Sequence, residues 1–220
     1  MLRTTLLLLP LLLTACSTLG LSGNRDSFIL NERLADAYEA GEYTMRRGRA
    51  PLVMSSGRSV DNCVAYLEAG GHPEVAGDVN SRITPAQYLV CDTMAALKDA
   101  RPLEKDDYRP DDYGEALKSR LDLGSFQSSV SRTLEGAGPT LDEIEGLRVA
   151  VTEHGVVADA RDWVLELRTV AVGHLDDNNR PDWLVWLHDE SNAGMYRAHR
   201  LLIVPDVGAE GLLRAVRYQP

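Results

Sequence analysis

Hydrophobic spacing divides the chain into a first half with helical periods and a last third with a period of two. Leu30, Leu34, Ala37 and Tyr38 recur at helical spacing and predict an amphipathic helix over residues 28–40. Val60, Cys63, Val64 and Leu67 predict a second, short helix that ends at Gly70-Gly71. Thr84 and Pro85 open a third, with Leu89, Val90, Met94 and Leu97 as its buried stripe. Residues 101–112 (RPLEKDDYRPDD) are charged and punctuated by proline, the composition of a linker. A further helix is expected around 111–121, followed by a break at 136–139. Beyond residue 146 the period changes. Residues 147–153, 163–172, 183–189, 196–204 and 212–218 read as strands. Residues 183–187 (WLVWL) are apolar on both faces, as a covered central strand requires. Short connections favour antiparallel neighbours. The expected fold is α+β, a helical N-terminal half (28–140) followed by an antiparallel sheet of about five strands (141–220).

Composition changes this picture little. The 220 residues suffice for one sizeable domain or two small ones, and 44% hydrophobic with 25% charged residues is ordinary globular usage. The net charge of −10 has the wrong sign for a phosphate backbone, so no nucleic-acid partner is expected.

The first residues carry an address. Arg3 precedes a leucine run from Leu6 to Leu13, broken only by Pro10. The run is about half the roughly 20 residues of a spanning helix, so residues 1–15 read as a secretory signal peptide. Leu13-Thr14-Ala15-Cys16 then resembles the lipobox of bacterial lipoproteins. The resemblance implies cleavage before Cys16, a diacylglyceryl thioether on its sulfur, and an acyl chain such as palmitate on the new amino terminus. Ser17, rather than Asp, follows the cysteine, a pattern that in Gram-negative lipoproteins implies the outer membrane. The small, polar residues 16–27 read as a tether between lipid and domain. Each buried methylene adds about 0.8 kcal/mol of membrane affinity, so several acyl chains suffice as the anchor of an acidic protein.

With Cys16 assigned to lipid, Cys63 and Cys91 remain of three cysteines, in a compartment where disulfides persist. Cys63 lies on the apolar face of its short helix, and Cys91 lies in the helix opened by Thr84. No Cys-x-x-Cys spacing or adjacent His points to redox or metal chemistry, so a structural disulfide is expected.

One loop carries ligand-like spacing. Residues 173–183 (GHLDDNNRPDW) place oxygen groups at alternate positions before an apolar strand. The stretch resembles a single copy of the calcium loops of FG-GAP and VCBS-type β repeats. Matched residue by residue, the resemblance implies Asp176, Asn178, the carbonyl of Arg180 and Asp182 as calcium ligands. It departs at His174, a poor ligand for a hard cation, and at Asn179, which replaces a glycine while tolerating the left-handed conformation.

Catalytic signatures are absent from the sequence: no Gly-x-Ser-x-Gly elbow, no His-Glu-x-x-His, no phosphate-cradling glycine loop. His188 and His199 flank the 191–194 hairpin with Asp189 and Glu190 nearby, and Ser125, Ser128, Ser129 and Ser131 form a serine-rich patch. These observations imply a lipid-anchored periplasmic protein of the outer membrane that binds other envelope proteins as an accessory or scaffold subunit, with no catalytic residue and no obligatory cofactor. Two alternatives are a calcium-responsive module built on residues 173–182 and a periplasmic hydrolase. A deep pocket that collects His188, His199 and an acid would point to the hydrolase.

Overall fold

The computed structural model describes residues 28–71, 84–131, 139–192, 194 and 196–220. The expected signal peptide, Cys16, the tether, His72 and most of the break at 136–139 lie outside the described residues.

The chain is α+β; the described residues form six short α-helices and a six-stranded antiparallel sheet. Helix α1 (Glu32–Ala40) begins where the Asn31 side chain accepts the Leu34 N–H at 3.0 Å. It stops at Gly41, whose φ of 50° suits a residue without Cβ. Helix α2 (Glu42–Arg46) follows, then a two-stranded ribbon of β1 (Leu52–Val53) and β2 (Ser59–Val60). Asn62 caps α3 (Cys63–Glu68) through the Ala65 N–H at 2.9 Å. The helix expected from Thr84 is two pieces, α4 (Thr84–Gln87) and α5 (Leu89–Ala96). They part at Tyr88, which is fully buried and donates its hydroxyl to the Ala50 and Val60 carbonyls. Asp112 caps α6 (Tyr113–Arg120) by accepting the Glu115 N–H at 2.8 Å.

The sheet is a simple meander: β3 (Arg148–Thr152), β4 (Gly155–Asp159), β5 (Trp163–Gly173), β6 (Asp182–Ser191), β7 (Arg197–Val204) and β8 (Val216–Arg217), each hydrogen-bonded to the next. Three expectations need correcting. Strand β4 is absent from the expected set, because Val156 and Ala158 face the core while Val157 between them is also apolar, which hides the alternation. The strand expected over 212–218 pairs only at Val216–Arg217. The N-terminal half is not a helical layer throughout: among the described residues its longest helix has nine residues, and a β ribbon interrupts the helices.

Alternation along β5–β7 gives the sheet two covered faces. Leu165, Leu167, Trp183, Val185, Leu187 and Leu202 pack with α6 residues Tyr113, Ala116 and Leu117 and with Leu121, Leu123 and Phe126. On the other face Val170, Leu184 and Leu201 meet Phe28, Leu34 of α1 and Leu97. A third core holds Leu52, Met54, Val60, Tyr66 and Tyr88 around the Cys63–Cys91 disulfide, whose Cα atoms lie 5.1 Å apart. Closing this loop contributes about 3.5 kcal/mol in the chain-entropy model.

The 101–112 segment is laid against the sheet. Arg101 and His174 exchange backbone hydrogen bonds of 2.8 and 2.9 Å, and Leu103 is buried in the α6-side core. Helix α6 lies so close to the β3–β4 turn that a Cβ on Gly114 would stand 2.1 Å from the Thr152 carbonyl oxygen and 2.3 Å from that of Gly155. Both obstacles are backbone. Gly114→Ala is therefore expected to cost about 2 to 3 kcal/mol, an overpacking penalty, read as a lower urea midpoint at unchanged slope. An unaltered midpoint would show that α6 shifts away without loss.

Candidate functional site

Beyond the hydrophobic contacts with α1 and Leu97, the α1-side face of the sheet turns polar. In register across three strands stand Glu166, His188 and His199, with Arg168 and Trp186 in the next row. Two rows of one face thus carry chemistry while the opposite face carries leucine and valine, a consequence of the period of two. Helices do not cover these rows fully. A cleft of about 1040 Å³ lies between them and a wall formed by α1 (Arg33, Leu34, Ala37), by α2 and the turn after it (Tyr43, Arg47, Arg49) and by the α4–α5 break (Gln87, Leu89, Val90).

The floor is hydrogen-bonded. His188 Nδ1 lies 3.0 Å from His199 Nδ1, and His188 Nε2 lies 3.3 Å from the Glu190 carboxylate. A carboxylate only accepts, so neutral His188 donates from Nε2 and accepts the His199 N–H at Nδ1. Glu190 is also ion-paired with Arg197. Burial holds the His188 imidazole below its ordinary value, with Glu166 as the largest opposing influence. Trp186 donates its indole N–H to Thr93 Oγ1 at 2.8 Å and leaves the ring to the cleft.

Asp189, which adjoins this pair in sequence, points to the other face. It is fully buried, and its carboxylate accepts the Ser129 N–H (2.6 Å), the Ser129 hydroxyl and the Tyr196 hydroxyl (3.0 Å). Ser128 and Ser131 exchange backbone N–H bonds with each other's hydroxyls, so these members of the serine-rich patch brace a turn rather than enter the cleft.

The 173–182 loop lies at the opposite end of the β5–β6 ladder. Asp182, 2% exposed, accepts the Leu175 N–H on one oxygen (2.8 Å) and the Asp206 N–H on the other (3.0 Å). Asp176 accepts both the backbone and the side-chain N–H of Asn178, and Asn178 accepts the Arg180 N–H at 2.8 Å. Buried His174 bridges the Arg180 carbonyl (3.1 Å) and Asp107 (2.8 Å). Asn179 takes the left-handed conformation with φ 59°. The four oxygen donors expected for calcium are thus engaged by groups of the loop and by the Asp206 N–H, and a cation has to compete with those bonds. Among the described residues, no group of three or more His, Cys, Asp or Glu side chains is placed to hold a metal.

Burial raises the Asp182 carboxyl above its ordinary range, the two N–H bonds lower it in part, and the charges of Asp176 and Asp206 raise it further. For Asp107, burial acts upward, but the Glu104 N–H and His174 outweigh it, so the carboxyl lies below its ordinary value.

The strand pattern alone brings His188 and His199 together. Glu166, Trp186 and the four cleft arginines, Arg33, Arg47, Arg49 and Arg168, join them only in the folded chain. The run Met45-Arg46-Arg47-Gly48-Arg49 was the available signal in the sequence; Arg33 and Arg168 are joined to it only by the fold. No protein-family model matches the chain, and neither the curated proteins nor the solved structures hold a match to it.

Two outcomes follow. Asp182→Ala strands the Leu175 and Asp206 N–H groups and should destabilise the fold by about 2 to 4 kcal/mol by urea denaturation. A loss below that range would mean that water replaces the carboxylate. His188 ionises at a lower pH folded than unfolded, so the unfolded state binds the extra proton first. Stability from this group is present above about pH 6.5 and is lost as pH falls through that value toward the folded pKa. Asp182 acts in the opposite sense: its contribution is full below about pH 3.9 and is lost as pH rises through its folded pKa. Melting temperatures from pH 7.5 to 5.5 should fall, and His188→Gln should flatten that decline; an equal slope in the variant excludes His188 as its source.

Proposed function

We propose that this chain is a lipid-anchored lipoprotein of the outer membrane, facing the periplasm, that works as a binding accessory or scaffold subunit of the cell envelope. The single observation that carries the reading is the order of Arg3, the leucine run and Leu13-Thr14-Ala15-Cys16 at the start of the sequence. The Cys63–Cys91 disulfide supports it, because such bonds persist in oxidising compartments. An open cleft braced by a sheet on one side and short helices on the other is a binding surface on a rigid frame.

Cys16→Ala should abolish incorporation of labelled fatty acid and leave the unprocessed precursor. Full labelling of that variant would overturn the anchor. Crosslinking in the native envelope, followed by pull-down and mass spectrometry, should return a reproducible set of envelope proteins that the anchored wild type captures. Turnover of peptidoglycan or peptide substrates by the purified protein would replace this reading with a hydrolase, because the cleft brings His188 and His199 together with Glu166.

A second reading, a calcium-responsive module, is favoured by one observation. Asp176 and Asp206 crowd Asp182, and a cation would relieve that repulsion. Calorimetry with millimolar calcium should then give heat and a raised melting temperature, both lost in Asp176→Ala.

A further inference from the structure

The chain is acidic, with a net charge of −10, yet its cleft is basic. Arg33, Arg47, Arg49 and Arg168 line it against one lining carboxylate, Glu166, which lies 3.5 Å from Arg168. The other nearby acid, Glu190, is committed to Arg197 and His188. Among the described residues, no carboxylate forms an ion pair with Arg33, Arg47 or Arg49. The Arg49 guanidinium is fixed in place, donating to the Thr44 and Gln87 carbonyls and lying 6.0 Å over the Tyr88 ring. Burial first, and the charge of Arg47 second, pull it below its ordinary value. Two neighbouring like charges held without a counter-charge, one of them half-buried, cost free energy in the empty protein. An anion between them removes that cost.

Beside the polar floor of His188 and His199, much of the remaining lining is apolar. Leu34, Ala37, Leu89 and Val90 form the wall, and Trp186 presents its ring because its N–H is used by Thr93. A volume of about 1040 Å³ stands at the upper end of small-molecule sites, which span about 300–1,000 Å³. Arginine is the side chain suited to gripping an acidic head group in a fork, and the apolar wall suits a flat or aliphatic body.

We propose that the cleft binds a small amphiphilic anion, its acidic group held by Arg33, Arg47 and Arg49 and its apolar body laid on Leu89, Val90 and Trp186. The inference is independent of the anchor reading, since it rests on residues between 33 and 199 and not on Cys16.

The chain from Ser17 onward holds every core residue named above, and it serves for the test once circular dichroism and a cooperative melt show that it is folded. Fluorescence titration compares anilinonaphthalene sulfonate, an aromatic body with one acidic group, with phenylnaphthylamine, the same rings without the charge. The sulfonate should bind at least about tenfold more tightly, and added salt should weaken it. Arg33→Glu with Arg47→Glu, two exposed positions, should lower that affinity by about tenfold or more, while Arg148→Glu, on β3 and paired with Asp159, should leave it unchanged. Arg33→Gln and Arg47→Gln singly should each give a partial loss, so the test does not depend on the reversed pair folding; circular dichroism checks each variant. Equal binding of the two probes overturns the proposal. So does undiminished binding in the folded variants, or a wild type that ignores the sulfonate and associates only with vesicles of anionic phospholipid.

Discussion

The ladder joining β5, β6 and β7 is the constraint on which the rest of the molecule depends. Strand β6 is the central member, paired along ten residues with β5 and eight with β7, and its side chains leave alternately for two cores. Trp183, Val185 and Leu187 anchor the α6 side, while Leu184 and Trp186 anchor the α1 side. A register slip of one residue would exchange these sets and bury His188 among leucines. The burial of Trp183 and its neighbours thereby also fixes which residues face the cleft.

The same strand connects the two polar regions. At its N-terminal end Asp182 closes the 173–182 loop by holding two backbone N–H groups, and six residues later His188 enters the cleft. The loop is a structural clasp as it stands. Through Asp107 and His174 it ties the 101–112 segment to the β5–β6 turn, and through Asn178 and Asp206 it ties that turn to the end of β7. Charged residues that read as a solvated linker are the partners that orient a buried histidine.

Where a signal is local, the sequence discloses it. Asn31 and Asp112 cap helices near the expected starts, alternation finds β3, β5, β6 and β7, and helical stripes bring Cys63 and Cys91 into one core. Where the deciding contact is distant, the sequence is silent. Tyr88 breaks a well-marked helix because its hydroxyl is needed 28 and 38 residues away. Strand β4 is invisible because its exposed-side residue is a valine. His188 and Asp189 look like one cluster on paper, yet alternation sends them to opposite faces, one to Glu190 and His199, the other to Ser129 and Tyr196.

Net charge is the coarsest of these readings, and the cleft shows its limit. Charges farther apart than about 8 Å are largely screened at physiological ionic strength, so the acidic surplus spread over the surface is weakly felt inside a groove with protein walls. What acts there is the local set, and that set is basic. Three of the four arginines come from α1 and the turn after α2, segments that the sequence marks only as a helix and its exit. The fourth comes from β5, more than a hundred residues later, carried there by the ladder that also presents Trp186 and the histidine pair. A dispersed negative charge with one concentrated positive cleft is a selective arrangement. The acidic surface offers an anion no close counter-charge of this kind, and a ligand small enough to enter the cleft, with an apolar body to hold it there, gains the arginines.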